Sequence, residues 1–151
     1  MVDRPVVTRL DDVVAHWITP GDTVKLAVLS GPSAGSRTTV VFEVWEPGGA
    51  QPYNSHSDSS ETFVVLAGNG VADSDGNLAT LAAGDTITLP VGSRHRITNT
   101  SASERLYTIT IMANDDGFAD LIERGPLAPL DDEDLAVLRG AQRPATVSGG
   151  A

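Results

Sequence analysis

The sequence predicts an all-β fold, a sandwich or barrel of short strands, on three observations. Runs rich in Val, Thr, Leu and Ile recur at 24–29, 38–45, 62–67, 78–82, 86–89, 96–99 and 106–112. Clusters of turn-forming residues separate many of them, such as Ser30-Gly31-Pro32, Pro47-Gly48-Gly49, Gly68-Asn69-Gly70 and Asp73-Ser74-Asp75-Gly76. No helical stretch of about 10–15 residues lies between them, which argues against a parallel sheet built from βαβ units.

The elements follow in order. Residues 8–18 place Leu10, Val13, Val14 and Trp17 at i, i+3, i+4 and i+7, which predicts a short amphipathic helix. Thr8 and Asp11 resemble a capping box with Asp in place of Glu or Gln, and Pro20-Gly21-Asp22 supplies the stop. Within the β region, Asp75-Gly76 predicts a hairpin turn, since both residues tolerate positive φ. Alternation in 86–89 sets Ile87 and Leu89 on one face and threonines on the other.

Two further helices are expected after Asp116. In the first, Phe118, Leu121 and Ile122 share a face and Gly125 is the stop. Asp131 caps the second, with Leu130 and Leu135 at its staple positions and Gly140 at its end. The tail over 142–151 is expected to be disordered, leaving one domain over 1–141 with its barrel core near 24–112.

Composition narrows the function classes. At 151 residues, with 40% apolar residues, the chain has the size and content of one globular domain. Its net charge of -10, with Lys25 the only lysine, argues against nucleic acid or an anionic membrane as partner. Cysteine is absent, so any metal must be held by nitrogen and oxygen. No signal peptide or apolar run of about 18 residues is present, and a soluble cytoplasmic protein is expected.

Two segments carry the chemistry. The first reads Gly48, five residues, Asn54, one residue, His56, four residues, Glu61, six residues, Gly68. The second reads Gly84, five residues, Pro90, one residue, Gly92, two residues, His95, three residues, Asn99. Two histidines and a carboxylate form the ligand set of a facial metal site with open positions. Residues 54 and 56 share one side of an extended strand and can both point into a barrel. Glu61 begins the next strand, with Phe63 and Val65 following on its face, while His95 arrives from a separate strand after the Pro90-Val91-Gly92 turn. By the same alternation Arg94 and Arg96 point away from His95. Asn99 reads as structural, and His16 as a solvated histidine off the helical stripe.

These spacings resemble the two signature motifs of the cupin superfamily, G-x5-H-x-H-x3/4-E-x6-G and G-x5-P-x-G-x2-H-x3-N. Nine of the ten anchors match, and Asn54 stands where the family usually has its first histidine. The resemblance implies a double-stranded antiparallel β-barrel, or jelly roll, with one short N-terminal helix and two C-terminal helices. It also implies one divalent transition metal ion (Fe, Mn, Ni, Co, Cu or Zn) held by His56, Glu61 and His95, with Asn54 as a fourth position. Asn54 could ligate through its amide oxygen, hydrogen-bond a water or substrate on the ion, or mark a site that has lost affinity.

The flanking residues Pro47-Gly48-Gly49, Glu61-Thr62-Phe63-Val64-Val65-Leu66 and Gly117-Phe118 are most similar to single-domain quercetinase-like cupins, which are metal-dependent dioxygenases or their uncharacterised relatives. That implies an oxidoreductase acting on a small apolar or aromatic substrate. Glu61 would be both ligand and general base, with Phe63, Val65 and Ile97 as apolar walls. The alternatives are a non-oxidative isomerase, cyclase or lyase, and a small-ligand-binding domain with a weakened metal site. A homodimer, through sheet edges or exchanged N-terminal strands, is the expected assembly.

Overall fold

The computed structural model describes residues 4–140. The strands are β1 (Ala15–His16), β2 (Val24–Ser30), β3 (Thr39–Trp45), β4 (Glu61–Ala67) and β5 (Asn69–Ser74). They continue with β6 (Asn77–Ala82), β7 (Thr86–Leu89), β8 (His95–Asn99) and β9 (Leu106–Met112). Helix α1 (Phe118–Glu123), strand β10 (Leu127–Ala128) and helix α2 (Asp132–Arg139) complete the described chain. All pairings are antiparallel, in one sheet of order β10-β1-β2-β3-β9-β4-β7 and a smaller one of order β6-β5-β8.

Period-2 alternation divides the molecule into two cores. Val41 and Trp45 on β3, Phe63 and Val65 on β4, and Leu106 and Met112 on β9 face inward. There they meet Ala72, Leu81 and Ile97 from the small sheet, so the two sheets enclose one barrel interior. The α1 side chains Phe118 and Ile122 belong to the same cluster. On the outer face of the large sheet, Phe42, Val44 and Tyr107 form a second core with Ala15, Ala27 and Ala128. Leu130 and the α2 residues Val137 and Leu138 pack against it, and the Phe42 and Tyr107 rings stack at 6.0 Å.

Helix α2 is locked down by its first turn. Asp131 accepts from the Asp134 backbone N–H at 2.9 Å while Asp134 accepts from that of Asp131 at 3.1 Å, a reciprocal capping box. The fully buried Asp134 carboxylate also accepts from Lys25 Nζ at 3.1 Å, Arg105 Nη1 at 3.1 Å and the Tyr107 hydroxyl at 2.9 Å. The single lysine thus serves to fasten a helix to the sheet.

Three expectations need correction. The amphipathic helix over 8–18 is instead one 3-10 turn at Leu10–Asp12 followed by β1. Ala15 and His16 lie between β2 and β10 and gain backbone partners on both sides, which a lone helix with a Val13-Val14 pair cannot match. Thr8 caps nothing and donates to the Leu29 carbonyl at 2.8 Å. The Gly68-Asn69-Gly70 and Asp73-Ser74 clusters are the ends of β5, whose Gly70 and Ala72 sit where a larger side chain would press on the interior. Residues 54–56 form no continuous strand; the loop that holds them makes two isolated bridges to the small sheet, Ala50↔Thr98 and Asn54↔His95. The expected disordered tail lies outside the described residues.

Candidate metal centre

Backbone hydrogen bonds bring the two ligand segments together. The loop after β3 runs alongside β8, with Asn99 N–H donating to Gly49 O at 2.8 Å and Gly92 N–H to His56 O at 2.8 Å. Gly92 reaches that carbonyl from a φ of 77°, within the left-handed region that favours glycine. Asn99 is structural as expected. Its side-chain amide donates to the carbonyls of Trp45, Glu46 and Glu104, and its oxygen accepts from Ser101 N–H.

Three side chains converge. His56 Nε2 lies 2.9 Å and His95 Nε2 3.1 Å from the same Glu61 oxygen, Oε2. Candidate ligand atoms of His56, Glu61 and His95 all fall within 4.8 Å of one another. Glu61 and His95 are buried, and His56 is half-buried with its ring edge-on to Phe118 at 5.9 Å between centroids.

The donor set fits a cation. His95 Nδ1 is 3.1 Å from the Ser93 carbonyl, which accepts only from a protonated nitrogen, and in the neutral ring with that single proton Nε2 turns its lone pair toward Glu61. Either a metal ion or a second imidazole proton fits between those two atoms at 3.1 Å. His56 Nε2, despite its short approach to Glu61, is not aligned for a hydrogen bond and has no other partner. The Asn54 amide oxygen is likewise buried without a partner. Nitrogen and oxygen donors of this kind suit a divalent transition metal.

Electrostatics agree. Burial alone would raise the Glu61 carboxyl, but the His56 and His95 imidazoles outweigh it and hold it below its ordinary range. The Glu61 carboxylate raises His56 against the opposing effect of burial, with smaller help from Asp116.

The structure also places the remaining candidates. Phe63, Val65 and Ile97 face the interior but are packed into its core. Two adjoining cavities of about 290 Å³ and 170 Å³ share Ile18, Gln51, Pro52 and Asn54. The larger reaches His56 between Asp116, Phe118 and Leu121, and the smaller ends on Val24 and Leu26. Arg94 and Arg96 turn outward, their guanidinium carbons 4.3 Å and 5.4 Å from the centroid of the Tyr53 ring. His16 is half-buried instead of solvated, its Nδ1 3.0 Å from the Gly125 carbonyl.

One interior group escaped sequence reasoning. Glu43 sits within an apolar run, Val40-Val41-Phe42 before it and Val44-Trp45 after, and carries no ligand spacing. Alternation with Val41 and Trp45 is the signal that aims it inward. Burial first, and then the Glu61 charge, push its carboxyl well above the ordinary range. The Thr110 hydroxyl opposes them without forming a well-shaped hydrogen bond.

Residues 41–112 match the family model of the cupin domain. No curated protein matches the sequence. Among solved structures, a predicted oxalate decarboxylase from Thermotoga maritima is 22% identical with a TM-score of 0.64, covering 72% of this chain and 99% of its own. A cupin-2 domain from Rhodospirillum rubrum is 25% identical with a TM-score of 0.60, covering 91% and 89%. The Cnp3 cupin domain of Schizosaccharomyces pombe is 16% identical with a TM-score of 0.62, covering 79% and 82%. With His56, Glu61 and His95 converging in a two-sheet barrel, this chain has the cupin fold, and the cupin-domain model matches it over residues 41–112.

Proposed function

We propose that this protein is a metal-dependent cupin enzyme acting on a small apolar or aromatic molecule, with quercetinase-like dioxygenase chemistry as the first reading. The observation that carries it is the convergence of His56, Glu61 and His95 beside a cavity with apolar and polar walls. A divalent transition metal bound there supplies Lewis acidity and, if redox-active, electron transfer to oxygen. His56, Glu61 and His95 would hold it, and the unpartnered Asn54 oxygen would reach either the ion or the molecule beside it.

The chain's own contribution is orientation and exclusion of water. Ile18, Pro52, Phe118 and Leu121 present apolar surface to an entering molecule, while Phe63, Val65 and Ile97 back the centre from within. Glu61 accepts a proton from the substrate if one of its contacts to the imidazoles is released. Asp116 in the lining, together with its apolar members, argues against oxalate as substrate, a small dianion for which the Thermotoga relative is named. An amide oxygen in place of an imidazole favours harder cations, which supports a second reading as a Lewis-acid isomerase, cyclase or lyase.

Elemental analysis of the purified protein tests the metal, with about one ion per chain expected. Oxygen uptake on a panel of flavonols and related enols separates the two readings: turnover with uptake supports the first, turnover without it the second. Thermal stabilisation by such compounds without product would leave a binding protein. We also read the chain as a homodimer, supported by exposed Leu127 on the edge strand β10, and light scattering decides this. Among the described residues no helix is long and apolar enough to cross a membrane.

A further inference from the structure

Glu43 faces the barrel interior from the middle of β3, with Leu26 and Thr108 as its lateral partners on the neighbouring strands. It is fully buried, and neither carboxyl oxygen has a hydrogen-bond partner. Beside it the Trp45 indole N–H donates to Thr108 Oγ1 at 3.2 Å, and Thr108 Oγ1 lies 3.4 Å from Thr110 Oγ1. These groups form a polar strip in an otherwise apolar wall, and Glu43 is its unsatisfied member.

Among the described residues no opposite charge pairs with it. Lys25, one strand away, turns to the other face of the sheet and is engaged by Asp134 and the Pro129 carbonyl. His56 and His95 converge on Glu61, the other carboxyl facing this interior. A bare carboxylate in such surroundings is far costlier than a neutral acid, so Glu43 holds its proton and presents a donor O–H. Leu26, its lateral neighbour, forms the inner wall of the cavity that also contains Asn54.

We propose that Glu43 is a neutral acid that donates a hydrogen bond to an oxygen of whatever is held at the His56–Glu61–His95 centre, metal-coordinated water included. It thereby selects ligands that carry an acceptor oxygen on an apolar body, such as enols, phenols and ketones. Glu43 is outside the ligand set itself, and its role rests on the metal-centre reading. A purely structural residue at this place would be better as leucine, because a buried donor without an acceptor destabilises the fold.

Infrared spectroscopy of the full-length protein, with Zn²⁺ alone as the probe, tests this. The metal-free wild type should show the carbonyl stretch of a protonated carboxyl at neutral pH. Glu43→Gln and Glu43→Leu should both lack it, and Zn²⁺ should displace it in the wild type. Glu43→Gln should still take up Zn²⁺ with wild-type stoichiometry, and Glu43→Leu should melt at or above the wild-type temperature. The proposal is overturned if the band is missing, if it persists in Glu43→Gln, or if it stays in place while calorimetry shows Zn²⁺ binding. Absence of Zn²⁺ uptake by the wild type would instead sink the metal-centre reading, and the band would still decide whether Glu43 is neutral.

Discussion

Asn54 and His95 exchange both backbone hydrogen bonds, Asn54 N–H to His95 O at 3.0 Å and His95 N–H to Asn54 O at 2.8 Å. Residues directly opposite in an antiparallel pair send their side chains to the same face. The one departure from the motif pattern is therefore set beside a ligand and not at the margin of the site. Asn54→His should restore an imidazole there and tighten Zn²⁺ binding by about tenfold, some 1.4 kcal/mol. Calorimetry on the two proteins measures it, and unchanged affinity would mean that position 54 does not face the ion.

Removal of a ligand should separate metal binding from folding. His95→Ala is expected to abolish measurable Zn²⁺ uptake while far-ultraviolet circular dichroism stays that of a β protein. His56→Ala should do the same with less disturbance, since His56 is the more exposed of the two.

The pH dependence of the metal-free protein has a defined sign. Glu61 is lowered from 4.5, so its contribution is present above that value and is lost as pH falls through its folded pKa. His56 is raised from 6.5, so its contribution is complete below that value and is lost as pH rises through its folded pKa. Stabilisation by this pair is thus greatest between the reference values of 4.5 and 6.5. Melting curves of chelator-treated wild type and Glu61→Gln across acid to alkaline pH should differ most in that window. Zn²⁺ uptake should weaken as pH falls through the raised His56 value, because a ligand nitrogen must first lose its proton.

Asp134→Ala should lower stability by roughly 3–5 kcal/mol, since it strips a buried lysine of its carboxylate and also undoes the helix cap. Urea denaturation reads the loss. Zn²⁺ stoichiometry of the folded fraction should be unchanged, because Asp134 lies on the outer side of the sheet.

Gly68→Ala should cost roughly 1–3 kcal/mol for its strained backbone alone. Gly68 has a φ of 89°, and a Cβ there would lie 2.6 Å from the Arg105 carbonyl oxygen and 2.9 Å from the Leu106 Cα, both backbone atoms. The last glycine of the first motif is thus required by the close approach of the Arg105–Leu106 backbone and not by the metal. Thermal melting of Gly68→Ala, with Zn²⁺ affinity as control, distinguishes the two.

Legibility of the sequence followed the strength of local constraint. Strands β7 and β9 have the predicted bounds because β-branched runs end at clear turn residues. The spacing of His56, Glu61 and His95 foretold their convergence because turn glycines and strand alternation leave little freedom between them. The segment around Val13 misled because its i, i+3, i+4 spacing is also compatible with a chain crossing the outer core: Val13 and Trp17 pack there, while Val14 is exposed. Strand β5 was hidden because Gly70 and Ala72 leave room for neighbours instead of advertising a strand. Glu43 was passed over because it stands outside both ligand motifs and both faces of its apolar run are buried, so alternation with Val41 and Trp45 drew no notice.

The large sheet works as a partition. Phe42 and Val44 look one way and Val41, Glu43 and Trp45 the other, so adjacent residues of a single strand serve different purposes. Substitutions in α2, β1 or β10 can adjust robustness without entering the compartment where chemistry would occur. Substitutions facing inward can change selectivity while the helix-clad exterior keeps the barrel closed. A laboratory seeking a new activity would therefore vary the inward set freely only after strengthening the outer one.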